Sequence, residues 1–244
     1  MRTLKLTLQY DGTDFVGWQR QPNGVSIQEL IERALEPIEG HAVTVTGAGR
    51  TDAGVHAIGQ VASVQLESAL DASSLLRALN ATLPDAVRVT AVDDAPADFN
   101  ARFAAVRKVY EYRIWNGPFV PPFERRYVWH VPQTLDLDRM REAGRALIGR
   151  HDFAAFRAAG SDVATSERTL RCLKVEAVNE KVTLMVAGDG FLRHMVRAIA
   201  GTLVDVGLGR RSIDSVSAAL ASRDRAQAGA TAPALGLFLV RVEY

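Results

Sequence analysis

A chain of 244 residues, 48% hydrophobic and 23% charged, can bury one large core or two smaller ones, which excludes a disordered protein. No apolar run approaches the roughly 18 residues of a membrane span, and Met1-Arg2-Thr3-Leu4-Lys5 alternates polar with apolar instead of forming a signal-peptide core, so a soluble cytoplasmic protein is expected. Cys172 is the single cysteine, which excludes an internal disulfide and speaks against a cysteine-based zinc site.

The elements follow in chain order. Residues 4–10, Leu4-Lys5-Leu6-Thr7-Leu8-Gln9-Tyr10, alternate at period two and predict a half-buried strand. Ser26-Ile27-Gln28-Glu29 is a capping box, and Ile27, Leu30, Ile31, Ala34, Leu35 and Ile38 recur at helical spacing behind it. Apolar segments at 42–47 and 58–66 flank a glycine-rich loop. A helix near 71–81 ends before Pro84, and a strand spans 86–93. The order βαββαβ then returns with insertions: strands at 106–116 and near 126–131, a helix at 136–148 opened by Asp136, strands at 169–178 and 181–187, helices at 191–206 and 213–221, and a last strand at 237–243. The fold class is α+β: two ferredoxin-like halves, 1–104 and 105–244, each an antiparallel sheet with helices on one face, meeting across a central cleft.

Charge divides the same way. The net charge is +1, but residues 1–99 carry 7 basic against 13 acidic side chains and the remainder 22 against 15. Of the 29 basic residues 25 are arginine, whose planar fork suits phosphate and whose face stacks on a base. An anionic polymer is a fitting partner; an arginine bias from base composition would produce the same count.

The chemistry-bearing segment is Gly47-Ala48-Gly49-Arg50-Thr51-Asp52-Ala53-Gly54-Val55-His56. Its glycines let the backbone turn and approach a ligand closely. Arg50 and Asp52, two apart, project to one side of an extended stretch, and an arginine near a carboxylate holds it ionised, as a nucleophile or base requires. A hairpin loop with a surface pair has the same spelling. Phosphate-loop, dinucleotide, nucleophile-elbow and zinc-protease motifs are missing, and the five histidines show no ligand spacing, so neither cofactor nor metal is expected.

The chain resembles the TruA family of tRNA pseudouridine synthases. The resemblance rests on Tyr10-Asp11-Gly12-Thr13-Asp14-Phe15-Val16-Gly17-Trp18-Gln19-Arg20-Gln21, Gly49-Arg50-Thr51-Asp52-Ala53-Gly54-Val55-His56-Ala57, Asp98-Phe99-Asn100-Ala101-Arg102-Phe103, Lys108-Val109-Tyr110-Glu111-Tyr112-Arg113, Gly149-Arg150-His151-Asp152-Phe153, Gly190-Phe191-Leu192-Arg193-His194-Met195-Val196-Arg197 and Ala232-Pro233-Ala234-Leu235-Gly236-Leu237, seven blocks in order. It implies the pseudouridine synthase fold with a continuous mixed sheet, a homodimer, and isomerisation of uridine at positions 38, 39 and 40 of the tRNA anticodon stem-loop. It also implies Asp52 as the catalytic carboxylate, Tyr110 stacked on the target base, and Arg197 as the basic residue against the aspartate. Arg50 would fill the space that an everted base leaves.

Other readings of the same residues stay open here. Tyr110 or Tyr112 can pack under the sheet, and Arg193, His194 and Arg197 can form the solvated face of an amphipathic helix. Trp18 can contact RNA or cap a core. Arg102, Arg107, Lys108, Arg113, Arg125 and Arg126, interleaved with Phe103, Tyr110, Tyr112, Trp115 and Tyr127, suit a groove for phosphates and bases, or a strand with charges out and rings in. A silent RNA binder of the same element order, or a nucleosidase using Asp11 or Asp14 as a second acid, is the competing class.

Overall fold

The computed structural model describes residues 1–158 and 164–244. Two compact units divide the chain: residues 1–106 with 239–244, and residues 107–238.

In the first unit β1 (Arg2–Tyr10) lies antiparallel between β4 (Val87–Ala95) and β3 (His56–Leu66). The alternation seen in the sequence sets the register: Leu4, Leu6 and Leu8 are fully buried, and Leu6 faces Ala62 on one side and Val92 on the other. The last strand, β10 (Leu237–Glu243), follows β3 in the strand order. Its Val242 packs against Ala48, Val61 and Ala101. Tyr244 closes this end, its hydroxyl donating to the Ala101 carbonyl at 3.0 Å.

Two helices complete the unit. Helix α1 (Ile27–Glu39) begins at the capping box, where the Ser26 hydroxyl accepts from the Glu29 N–H at 3.3 Å, and stops at Gly40 with φ 76°. That left-handed turn is open to glycine at no steric cost. Helix α2 (Ala72–Thr82) is capped by Asp71, which accepts from the Ser74 N–H.

The expected segment 42–47 forms only the two-residue strand β2 (Thr46–Gly47). The reason lies in α1. The Val45 N–H donates to Glu32 Oε1 and the Val45 carbonyl accepts from Gln28 Nε2, both at 3.1 Å. Side chains thus take the hydrogen bonds that a strand neighbour would make.

In the second unit β5 (Arg107–Trp115), β7 (Gly149–Asp152), β8 (Glu167–Val178) and β9 (Lys181–Gly188) form an antiparallel sheet in the order β5-β9-β8-β7, and β6 (Trp129–His130) runs parallel to β5. Strand β7 had no apolar alternation to announce it. Helix α3 (Leu137–Arg145) starts where expected, with Asp136 accepting from the Asp138 and Arg139 N–H groups. It ends three residues early because Ala146, Leu147 and Ile148 donate back three positions, tightening the last turn.

Helix α4 (Met195–Gly207) begins four residues later than expected, and α5 (Ser215–Ser222) follows it. His194, at φ 63°, cannot continue a right-handed helix, and the Met195 N–H turns back to Leu192. Arg193 and His194 therefore precede α4 instead of sharing a face with Arg197. Helix α4 is buried nearly all round, from Met195 through Gly207, so the alternative reading of these residues as the solvated face of an amphipathic helix is set aside. The run Ala198-Ile199-Ala200 followed by Leu203-Val204 is the composition of an interior helix.

Candidate active site

Asp52 is half-buried in the loop between β2 and β3, and the residues around it are fixed one by one. Gly49 offers its carbonyl to Gln60 Nε2 at 2.8 Å. The buried Thr51 hydroxyl meets the Tyr10 hydroxyl at 2.9 Å, and the Thr51 carbonyl accepts from the Trp18 N–H at 3.1 Å. Asp52's own carbonyl accepts from Val55 N–H, and Gly54 N–H donates to Phe15. The segment 11–18 is the opposing wall. A Cβ on Gly12 would strike the Val55 carbonyl, and one on Gly17 would lie 2.5 Å from the Thr51 carbonyl, so both glycines are required for backbone to pass backbone. The result is a carboxylate on a loop with little freedom to move.

Tyr10 closed the alternating first strand and Thr51 lay in the glycine-rich loop, both within the blocks that carry the family resemblance, but nothing in the sequence joined them to each other or to Gln60. Burial pushes the Tyr10 phenol up to about 12, with the Thr51 and Gln60 hydrogen bonds opposing. The ordinary value is about 10, so the unfolded chain ionises first. The stabilisation is intact below pH 10 and is lost as pH rises through 12. We expect chemical-denaturant midpoints to fall across that window, by a loss of about 2–3 kcal/mol from this residue. Tyr10→Phe should show a shallower decline; an identical alkaline profile for the two proteins would refute the attribution.

His56 is buried beside the same wall. Its Nδ1 lies 3.0 Å from the Gly12 N–H and 3.1 Å from Asp11 Oδ1. One ring nitrogen cannot accept from the first and donate to the second at once. With Nδ1 unprotonated the ring accepts from the Gly12 N–H, and with a proton on Nδ1 it donates to Asp11. Either way His56 ties segment 11–13 to the end of the Asp52 loop. Trp18 is 2% exposed and covers Gly47, so it caps a core. Arg50 is exposed, and its Nε donates to Gln19 Oε1 at 3.0 Å.

In the second unit Tyr110 and Tyr112 share one face of β5. Tyr112 is fully buried, edge-on to Trp129, and its hydroxyl donates to the Pro233 carbonyl at 2.8 Å; burial pushes its phenol far up. Tyr110 is 6% exposed, with its ring 5.0 Å from Phe191 and nearly perpendicular to it. Arg197 is half-buried in the first turn of α4. Its Nε donates to the Ala232 carbonyl at 2.8 Å and its own carbonyl accepts from the Ala232 N–H. The segment 225–236 that supplies these carbonyls is held along its length: Arg211 bonds Gln227 and Ala228, Thr202 bonds Gly229, and Arg225 bonds Gly229 and Thr231.

The basic-aromatic stretch separates into two kinds of residue. Arg113 lies 3.7 Å over the Phe238 ring and pairs with Glu111, a packing role. Arg102, Phe103, Phe123, Arg125 and Arg126 are exposed, Phe123 at 93%. Asp152 is fixed by the Ser166 hydroxyl at 2.5 Å, the Ala154 N–H and Arg223 Nε, with the Ser166 bond foremost in holding its carboxyl below the usual range. Among the described residues no group of three acidic, histidine or cysteine side chains could hold a metal ion.

The family profile described as "tRNA pseudouridine synthase" matches residues 7–104 and 143–244. The tRNA pseudouridine synthase A of Syntrophotalea carbinolica is 46% identical over all of this chain and 97% of its own length. Those of Acetivibrio thermocellus and Geotalea uraniireducens are 43% and 45% identical over the full length of both chains. Likeness of this extent defines an α+β isomerase with the pseudouridine synthase fold. The chain belongs to the tRNA pseudouridine synthase family, enzymes that isomerise uridine to pseudouridine in tRNA.

Proposed function

We propose that this enzyme acts on uridines 38, 39 and 40 of the anticodon stem-loop and that Asp52 is its essential carboxylate. The observation that carries the reading is the Asp52 loop. A half-exposed carboxylate stands among backbone groups bonded on both sides, which is the preorganisation that a group acting on a ribose or base requires.

The reaction breaks the C1′–N1 bond, turns the uracil and joins C1′ to C5. N1 gains a proton, the C5 hydrogen leaves as a proton, and no electrons are exchanged. A carboxylate and an enclosed pocket satisfy these demands without a cofactor. Tyr110 stacks on the base, Arg50 fills the position of the everted nucleotide, and Arg197 supplies positive charge for the same reaction. Because Tyr110 is 6% exposed, entry of the base requires its surroundings to open. In the proposed working state a cytoplasmic homodimer holds the tRNA, a reading tested by the oligomeric state in solution.

Tritium release from tRNA labelled at uridine C5 tests the site of action. Transcripts whose only labelled uridines lie at 38–40 should release tritium, and the same transcripts with cytidine there and labelled uridine elsewhere should release none. Equal release from both sets would overturn the assignment.

A further inference from the structure

We infer that Gln19 is a positioning residue that sets the Arg50 guanidinium, with Gln28 and Glu32 of α1 as its buried anchor. The inference rests on the proposed role of Arg50 beside Asp52 and goes beyond it, because it explains how an exposed arginine keeps one orientation before RNA arrives.

The bonds run in a single direction. Glu32, 8% exposed, is a carboxylate and so accepts only. Its Oε1 accepts from Gln28 Nε2 at 3.0 Å and from the Val45 N–H at 3.1 Å, and its Oε2 faces Arg20 Nη1 at 3.3 Å. The Gln28 amide nitrogen, which also donates to the Val45 carbonyl, is thereby committed to the helix side. The Gln28 oxygen must point the other way, where it accepts from Gln19 Nε2 at 2.9 Å and from the Arg20 N–H at 3.1 Å. With its nitrogen committed to Gln28, Gln19 presents its oxygen to Arg50 Nε at 3.0 Å. Reversing any amide in this chain would set donor against donor or acceptor against acceptor. An acceptor-only carboxylate in the core thus fixes the polarity of a contact at the surface.

A lone hydrogen bond between exposed side chains fixes little, since a long side chain loses rotamer freedom to keep it. This contact differs because Gln28 is 8% exposed and each of its amide atoms is occupied. Arg50 receives its orientation from a buried network instead of from solvent. Fixing the guanidinium in advance removes an ordering step from the moment at which the base leaves its stack.

The experiment uses the intact enzyme and tRNA, and compares Gln19→Ala, Gln19→Glu, Arg50→Ala and the double variant Gln19→Ala/Arg50→Ala. We expect Gln19→Ala to lower kcat about tenfold with little change in KM or melting temperature. Glutamate at the position keeps the acceptor for Arg50 but sets a carboxylate oxygen against the Gln28 oxygen in place of the Nε2 donor, so it should restore only part of that loss. The double variant should be no slower than Arg50→Ala alone, because Gln19 has nothing left to position. Full activity in Gln19→Ala would overturn the inference. So would a Gln19→Ala defect that persists undiminished in the Arg50→Ala background, which would mean that Gln19 acts on the RNA itself. A large fall in melting temperature in both Gln19 variants would make the role structural and also overturn it. If Arg50→Ala alone is fully active, the proposed role of Arg50 fails, and that result is read from the single variant.

Discussion

Asp52→Asn should eliminate pseudouridine formation, with tritium release from C5-labelled tRNA falling by roughly 10⁴-fold or more. Asparagine preserves the size of the side chain and removes its charge. The loop is held through the Gly49 carbonyl, the Thr51 hydroxyl and carbonyl, and the Gly54 N–H, bonds that the substitution leaves in place. The folded state and the affinity for tRNA should therefore survive, and the loss should appear in kcat. Binding measured by filter retention separates the outcomes. Retained binding with no release assigns Asp52 to the chemical step, whereas release near the unmodified rate would remove it from the mechanism. Whether the carboxylate attacks C1′, adds to C6 or takes a ribose proton, its ionised form is required, so the expected loss is the same for each route.

Among the described glycines of the second unit, Gly201→Ala is expected to be the most destabilising glycine-to-alanine change. Within a helix, alanine is ordinarily favoured over glycine by about 1 kcal/mol. Here the added carbon would overlap the Ala230 carbonyl oxygen and lie 3.0 Å from its carbon. The obstacle is backbone, and that backbone is tied down by Thr202 and Arg225 on either side. Steric cost should exceed helix propensity, leaving a net loss of about 2–4 kcal/mol and a fall in melting temperature of roughly 5–15 °C. Calorimetry decides it: an unchanged or raised midpoint would show that segment 225–236 yields freely. Displacing Ala230 also displaces Ala232, the acceptor for Arg197 Nε at 2.8 Å, so, on the role proposed for Arg197, surviving protein should turn over more slowly.

Much of this architecture could be read from local pattern. The alternation of residues 4–10, the capping box at Ser26 and the cap at Asp136 each write a short-range energetic preference into neighbouring letters. What could not be read was decided by partners distant in sequence. Strand β2 is short because Gln28 and Glu32 intercept Val45. Helix α4 starts late because His194 takes a left-handed turn, a choice that no periodicity encodes. The last six residues return to the first unit, whereas chain order alone groups them with the second half. The loop of Asp52 was visible from its glycines, but the Tyr10, Thr51 and Gln60 bonds that fix it join three separate segments. Asp52, Tyr110, Arg50 and Arg197 received roles from family resemblance; on its own the loop has the spelling of an ordinary turn.

The return of Leu239–Tyr244 to the first unit has a consequence for synthesis on the ribosome. Strand β3 meets its β10 neighbour only after everything between has been translated. At about 5–20 residues per second, that interval is on the order of 10–30 s. During it the nascent N-terminal sheet presents the part of β3 that β2 does not cover as an open edge, to which any unpaired strand nearby can add. Completion of the first unit is therefore timed by the translation of β10.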